Sequence, residues 1–234
     1  MRCNALLVLA VFCAGCAVGV SREAGSVSHH GDSRQALSPS AGQESPGADE
    51  TMALMRRLQS EDQLERTQAK KDVEVRAAGS TEARAQIVQA LIKLVAQSDE
   101  RLRATSVAHY DAWSFAAEFL GTLKATESVD VLVGCISCND GTGGLSSYRH
   151  PAWRGVVKLG PVAVPRLGEA LKAQDTETRI YAAWALGVIG GAEARAALES
   201  ALPLERDKVV ENAIRRALQN KADLPESHDL VSPK

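Results

Sequence analysis

The chain has 234 residues, a formal net charge of −2 and five cysteines. This near-neutral balance gives no reason to expect nucleic-acid binding, which depends on a basic face. Hydrophobic residues make up 45% of the chain but aromatic residues only 4%. Alanine and leucine carry most of the apolar content, and because they lead the helix scale, whereas β-branched and aromatic residues favour strands, the composition indicates helices.

The N-terminus is typical of an export signal, which we assign to residues 1–15. Arg2 precedes an apolar run from Ala5 to about Cys13. That run is shorter than the ~20 residues needed to span a bilayer, so it indicates a cleaved signal rather than a membrane anchor.

Residues 14–16, Ala-Gly-Cys, resemble the lipobox of bacterial lipoproteins, although Cys13 stands where that family usually has leucine. The resemblance implies that Cys16 is lipidated and that the protein is anchored in the cell envelope, facing the periplasm. The alternative is ordinary cleavage at a small-x-small site such as residues 17–19, which would give a soluble periplasmic or secreted protein.

Residues 21–47 are rich in serine, glycine, alanine and proline and have almost no large apolar side chains. Such a segment cannot bury enough surface to offset the entropy of the chain. We therefore predict a disordered tether over residues 16–47 and a second disordered tail over residues 221–234.

The region between these tails repeats itself. Ala170-Leu171 recurs as Ala201-Leu202, thirty-one positions on, and Ala185-Leu186 recurs as Ala217-Leu218, thirty-two on. A period near thirty indicates a solenoid of helix pairs. Helices are predicted upstream at 49–59, 62–78, 81–97, 99–120 and 127–137.

Glycines follow the predicted helices and aspartates precede them. Gly121, Gly160 and Gly190 each follow an apolar helical run, which predicts left-handed positions just after a helix end. The aspartates at 99, 175 and 207 precede helical patterns and are predicted to cap them. Arg179, four residues after Asp175, predicts a helix-supporting ion pair.

The block from Gly160 to Leu202 resembles the HEAT-like repeats first noted in phycobilisome lyases. It carries Gly-Pro-x-Ala-Val-Pro-x-Leu, an aspartate with an arginine four residues later, and Ala-Leu-Gly-x-Ile-Gly. Residues 205–220 match loosely, and residues 48–158 mainly by helix length and glycine placement. The resemblance implies an all-α solenoid of about five antiparallel helix pairs over residues 48–220. It implies no activity, since such repeats serve scaffolds, adaptors and some enzymes.

One repeat is longer than its neighbour. Gly121 and Gly160 are thirty-nine residues apart, whereas Gly160 and Gly190 are thirty apart. The surplus predicts a rim insertion over residues 139–150, in a connection where solenoids often bind partners. We predict that its polar side chains are exposed for recognition, with a plain loop as the alternative. The candidate binding residues are Asp140, Ser146, Ser147, Tyr148, Arg149 and His150.

Cys135 and Cys138 precede the insertion. In an exported protein, this closely spaced cysteine pair predicts a disulfide. The alternatives are buried free thiols, a metal site or redox chemistry. A structural zinc site needs four ligands, and a thioredoxin-like site needs the pair at a helix N-terminus. The pair instead follows the helical pattern that ends at Gly134. We predict no metal and no cofactor.

Five aromatic residues at helical spacing form a second candidate site. They could line a groove with anchors of the kind that dominate interfaces, and inter-repeat packing is the alternative. These residues are Tyr110, Trp113, Trp153, Tyr181 and Trp184.

The sequence therefore favours a non-enzymatic scaffold that binds another protein and touches the membrane only through its lipid. An envelope binder of small ligands or glycans is the alternative. An enzyme related to bilin lyases or di-iron hydroxylases is disfavoured, because export argues against the former and the chain has no His-Glu dipeptide for the latter.

Overall fold

The computed structural model describes residues 46–139 and 150–219. All of these residues lie in one of the chain's two compact units, Gln43–Lys234. The export signal, Cys16, most of the tether, the C-terminal tail and five of the candidate residues of the rim insertion lie outside the described residues and stay predictions.

The described residues form eleven α-helices and no strand. Three short 3-10 turns lie at Thr126–Ser128, Pro161–Ala163 and Leu202–Leu204. The helices are α1 Pro46–Leu58, α2 Gln63–Gly79, α3 Thr81–Ala96, α4 Glu100–Thr105, α5 Val107–Thr122, α6 Val129–Gly134, α7 Pro151–Leu159, α8 Val164–Ala170, α9 Thr176–Ile189, α10 Gly191–Ala201 and α11 Lys208–Leu218.

Ten of these helices form two rows. The first helices α1, α3, α6, α8 and α10 contact one another in succession, and so do the second helices α2, α5, α7, α9 and α11. Each second helix packs on the first helix of its own pair. The predicted all-α solenoid of five helix pairs is confirmed, and α4 is an additional short helix inside the second pair.

The predicted helix 99–120 is divided in two at Ser106. The Oγ of Ser106 accepts a hydrogen bond from the backbone N–H of His109 at 3.3 Å, and its extended backbone ends α4 just before α5 begins. A serine side chain competes with the helical ladder in this way because it offers the free amides another acceptor.

The predicted aspartate caps are confirmed. The carboxylate oxygens of Asp99, Asp175 and Asp207 accept from the amides of Arg101 at 2.7 Å, Thr178 at 2.7 Å and Val209 at 2.8 Å. Such a cap contributes about 1 kcal/mol, since the first amides of a helix have no partner inside it.

The predicted ion pair between Asp175 and Arg179 is wrong. Asp175 is occupied by the amide and the hydroxyl of Thr178. Arg179 instead donates through one terminal nitrogen to the carbonyls of Ala173 at 2.8 Å and Gln174 at 2.9 Å. Its Nε reaches Glu205 of the next pair at 2.9 Å. The arginine therefore fastens its own turn to the following repeat.

Arg66 makes the same arrangement near the other end of the solenoid. It donates to the carbonyls of Ser60 at 2.7 Å and Glu61 at 3.0 Å, and its Nε reaches Asp111 on α5 at 3.1 Å. Its side chain is only 7% exposed. A buried guanidinium thus holds the first helix pair to the second, in addition to the apolar contacts.

Two of the three glycine predictions are confirmed. Gly160 and Gly190 have φ of 79° and 67° and follow α7 and α9. Gly121 is different, because it lies inside α5, which continues to Thr122. Counted between helix ends, Thr122 to Leu159 is 37 residues and Leu159 to Ile189 is 30, so the third pair exceeds the fourth by seven residues rather than nine.

The apolar core runs through all five pairs. Leu58, Ile87, Leu120, Leu167 and Leu186 are among its fully buried members. Within the described residues, no helix is long and apolar enough to cross a membrane.

Candidate functional site

The predicted rim insertion begins at residue 139, and the cysteine pair lies just before it, after α6. The Sγ atoms of Cys135 and Cys138 are 2.26 Å apart and their Cα atoms 5.0 Å apart, within the roughly 4.4–6.8 Å that disulfides span. Both side chains are partly buried against the core. The pair follows the C-terminal end of α6, which is the wrong end for a helix dipole that favours a thiolate.

Residues 135–139, which we call the first stem of the insertion, contact both neighbouring repeats. The Oγ of Ser137 lies 2.9 Å from Oγ1 of Thr178, at the start of α9. From the other side, Nε of Arg103 donates to the carbonyl of Asn139 at 3.4 Å. Ile136, directly before Ser137, is fully buried. The chain therefore enters the insertion from a fixed position.

His150 forms the second stem, and here the prediction of an exposed binding residue is wrong. The imidazole is completely buried. Its Nε2 lies 2.6 Å from the hydroxyl of Tyr181 on α9, with the ring centroids 3.9 Å apart. Pro151 begins α7 directly after His150. The histidine therefore lies between the third and fourth helix pairs, against α9. His150 therefore anchors the insertion rather than presenting it.

Tyr181 is suited to this anchoring role. Burial, with the charge of Glu177 adding to it, raises the pKa of Tyr181 well above its ordinary value. The phenol thus keeps its proton at any physiological pH and shares one hydrogen bond with the imidazole. The backbone carbonyl of Tyr181 in turn accepts from Nε1 of Trp153 at 3.1 Å.

The predicted aromatic groove does not form. Trp113 and Tyr181 are fully buried, Trp184 is 2% exposed and Trp153 is 7% exposed. Tyr110 is half-buried, its ring 5.9 Å from that of Trp113. The second helices α5, α7 and α9, which carry these residues, have neighbours on both flanks, so their aromatic side chains fill the seams between pairs.

Trp113 shows how such a seam is filled. The guanidinium of Arg103 stacks over its ring at 4.8 Å, a contact that suits a cation and an aromatic face. No atom of the described residues accepts a hydrogen bond from its Nε1. Desolvation lowers the pKa of Arg103, against the opposing charges of Glu100 and Asp99.

An open groove lies elsewhere, between α2 and α5, and it is not among the predicted sites. Its volume is about 680 Å³. Phe115 and Phe119 are half-buried in its wall and stack with centroids 5.2 Å apart and planes 15° apart. Ala77, Ala78, Leu123 and Thr122 also line it. The i, i+4 spacing of two phenylalanines was the available signal.

Charged side chains surround this groove in shared clusters. Asp111 accepts from Nε of Arg66 at 3.1 Å and Nζ of Lys70 at 2.5 Å. Glu118 accepts from Arg154 at 2.5 Å, with Nζ of Lys158 3.5 Å away. Burial acts to raise the pKa of Glu118, but the hydrogen bonds and charges of Arg154 and Lys158 outweigh it and hold that pKa below its ordinary value.

Within residues 46–139 and 150–219, no three histidine, cysteine, aspartate or glutamate side chains come together in a way that could hold a metal ion.

Comparison with known proteins agrees with this architecture. Residues 148–219 match the family model of HEAT repeats. The match covers α7 to α11, which includes the block on which the resemblance to HEAT-like repeats rested. No curated protein matches the chain. The C-terminal pairs are thus similar to HEAT repeats, and the described residues form an all-α solenoid throughout.

Proposed function

We propose that this chain is a non-enzymatic scaffold that binds another protein through the rim insertion and is tethered to the bacterial cell envelope by a lipid on Cys16. The observation that carries the proposal is the fixation of both stems of the insertion. Ser137 and Asn139 hold one stem to two different repeats, and His150 holds the other to Tyr181.

Fixed stems favour recognition because they reduce the entropy that is lost when a loop binds. The proposed bridge between Cys135 and Cys138 would act in the same direction by closing the turn at the first stem. Asp140, Ser146, Ser147, Tyr148 and Arg149 supply the contacts in this proposal, while His150 positions them.

A small-ligand or glycan site had its support in an aromatic groove, and the burial of Trp113, Trp153, Tyr181 and Trp184 removes that support. HEAT repeats are suited to protein interaction, since stacked helix pairs present long surfaces. We therefore retain a protein as the partner.

The tether is tested by mass spectrometry of the protein purified from membranes without reductant. A diacylglyceryl mass on Cys16 and a closed pair at 135–138 are expected. An intact N-terminus with free thiols would contradict export, lipidation and the bridge together.

The binding surface is tested by photo-crosslinking in the native envelope. A photoreactive amino acid is placed at Tyr148 in the insertion, before α7. The matched control is Val162, 45% exposed, which lies beyond the other end of α7. One protein should be captured from position 148 and not from 162. With that protein purified, alanine at residues 146–149 should weaken binding by about tenfold or more. Equal capture from both positions, or unchanged affinity, would overturn the proposal.

A further inference from the structure

We infer that Arg103 and Trp113 form a binding site for a carboxylate, which an acidic side chain of the protein bound at the rim insertion supplies. The source of the carboxylate rests on the proposed function, whereas the site itself does not. The site lies beside the first stem of the insertion, since Nε of Arg103 donates to the carbonyl of Asn139 at 3.4 Å.

Arg66, Arg103 and Arg179 occupy the same place after a helix-capping aspartate. Each lies four residues after the aspartate, and each donates to a backbone carbonyl of the turn before that helix. In the first and the last of these arginines, Nε also reaches a carboxylate of the following pair, Asp111 at 3.1 Å and Glu205 at 2.9 Å. An arginine at this place is therefore positioned to receive a carboxylate at Nε.

Arg103 has no such carboxylate. Its Nε meets the carbonyl oxygen of Asn139 at 3.4 Å, which is longer than the roughly 2.7–3.2 Å of an ordinary N–H···O bond. Within residues 46–139 and 150–219, no carboxylate forms an ion pair with this arginine. Desolvation lowers the pKa of Arg103 even against the favourable charges of Glu100 and Asp99. An arginine that is only 6% exposed thus lacks a counter-ion in contact with it.

Trp113 supplies a second donor at the same place. The guanidinium of Arg103 lies over its ring, 4.8 Å from the centroid. The side chain is fully buried, and no atom of the described part of the chain accepts a hydrogen bond from its Nε1. An indole nitrogen can only donate, and a buried donor without an acceptor costs the free energy of its desolvation. The stacked pair therefore holds a cation without a counter-ion and an N–H group without an acceptor.

A carboxylate satisfies both donors. It carries the charge that Arg103 lacks, and its two oxygens can each accept hydrogen bonds. The N–H groups of a guanidinium lie in a plane that matches a carboxylate. The incoming oxygen replaces the Asn139 carbonyl at Nε, where Asp111 and Glu205 lie in the other two repeats. A water molecule would satisfy Nε1 of Trp113 but would leave the buried charge unpaired.

The position of the site indicates where the carboxylate comes from. Arg103 contacts Asn139, the residue at which the predicted rim insertion begins. A protein bound to the insertion is therefore next to Arg103. An acidic side chain of that protein would form a charge-assisted hydrogen bond in a desolvated place, where truncation of either partner weakens binding most.

The site is tested without the partner, by NMR of the indole N–H groups in the isotope-labelled full exported chain. The chain has three tryptophans, and Trp113→Phe assigns the signal of Trp113. The probe is sodium acetate, with acetamide as the neutral control of similar shape and sodium chloride as the control for ionic strength. The signal of Trp113 should shift saturably with acetate alone. The signal of Trp153 should not move, because its Nε1 already donates to a backbone carbonyl.

Two variants with the same charge change separate the site from general attraction to the chain. Arg103→Gln should weaken acetate binding by about tenfold or more, since a hydrogen bond to a charged group is lost. Arg101→Gln, at an exposed position of the same helix, should leave it unchanged. Arg103→Lys keeps the charge but loses the planar fork, and it should weaken binding by about threefold or more. Circular dichroism verifies folding, and Arg103→Lys decides the question if Arg103→Gln does not fold.

Equal responses of the Trp113 signal to acetate and acetamide would overturn the inference, because a water molecule or nonspecific contact would then explain the free donor. Equal effects of Arg103→Gln and Arg101→Gln would overturn it as well. The chain's own Asp140 is another source of the same chemistry. If Asp140→Asn shifts the Trp113 signal without any probe, that carboxylate fills the site and the inference is wrong.

The supply by a partner is tested with the protein captured from the rim insertion. Arg103→Gln should weaken its binding by about tenfold, whereas Arg101→Gln should not. Unchanged affinity in Arg103→Gln, beside a specific acetate response, would show that the partner does not supply the carboxylate. The acetate titration needs no partner, so failure of the site and failure of the proposed function are distinguishable.

Discussion

Gly121 of α5 and Gly155 of α7 face each other where the two helices cross, with their backbones in contact. A Cβ on Gly121 would lie 2.3 Å from the carbonyl oxygen of Gly155, and a Cβ on Gly155 would lie 2.3 Å from the carbonyl oxygen of Ala117. Real Cβ atoms do not approach backbone so closely, and backbone cannot turn aside as a flexible side chain can. This seam is the point where the second and third pairs are held together.

Substituting Gly155→Ala should therefore separate α5 from α7 and lower the free energy of unfolding by about 3 kcal/mol, since overpacking a rigid contact has few ways to relax. Thermal and urea unfolding followed by circular dichroism measure the change. Gly134→Ala in α6 is the matched control, because nothing lies within 4 Å of its Cβ position. It should alter stability by less than about 1 kcal/mol, toward greater stability. Equal effects of the two alanines would show that the seam is not tight.

The buried ion pair between Arg179 and Glu205 gives a second prediction. Its side chains are 14% and 10% exposed. Arg179→Ala removes the charge facing Glu205 and the donors to two turn carbonyls. We expect a loss of about 2 kcal/mol, because the largely buried carboxylate loses its counter-ion and keeps only the amides of Arg206 and Asp207 as donors.

The control for this prediction is Arg195→Ala, which breaks an exposed i, i+4 pair with Glu199. Such a pair contributes about 0.3–0.5 kcal/mol. If Arg179→Ala costs no more than Arg195→Ala in chemical unfolding, the guanidinium does not join the two repeats as described.

The contrast between three Leu-Gly or Ile-Gly steps shows how far the sequence could predict this structure. Gly160 and Gly190 end helices, as local pattern predicts, because the left-handed position needs only the residue itself. Gly121 has the same local setting, but a residue 34 positions later decides its role. Helices and caps follow from short-range physics, whereas seams between repeats do not.

In the candidate site, too, local features follow from the sequence, whereas contacts between repeats do not. The insertion and the cysteine pair were visible in spacing and composition. The burial of His150 was not, since its partner Tyr181 lies 31 residues away on the next pair. Phe115 and Phe119 carried a visible spacing, but only the distance between α2 and α5 determines that their shared face is open.

The carboxylate of Glu118 predicts a pH dependence of stability. Its pKa is lowered in the folded chain, because the hydrogen bonds and charges of Arg154 and Lys158 outweigh burial. A lowered folded pKa means that the stabilisation is complete above the unfolded value of about 4.3 and is lost as the pH falls through the folded value.

Glu118→Gln should therefore be less stable than the parent chain at pH 7, by about 1 kcal/mol for a partly exposed cluster. The difference should shrink as the pH falls below about 4.3 and vanish once Glu118 is protonated in both states. Melting temperatures of the two chains between pH 7 and pH 3 measure it. A difference that stays constant over this range would contradict the ion-pair origin.

The last prediction separates the structural role of the two stems from the binding role proposed for the insertion. Replacing residues 140–149 by a glycine-serine linker of equal length should leave the helical circular dichroism and a cooperative melt unchanged. The reason is that Ser137, Asn139 and His150 contact residues outside the replaced segment, namely Thr178, Arg103 and Tyr181. Tyr181→Phe should instead lower stability by about 1–2 kcal/mol, since the buried His150 loses its phenol partner. If the linker variant unfolds while Tyr181→Phe is neutral, the insertion itself supports the solenoid, and its role is structural rather than recognition.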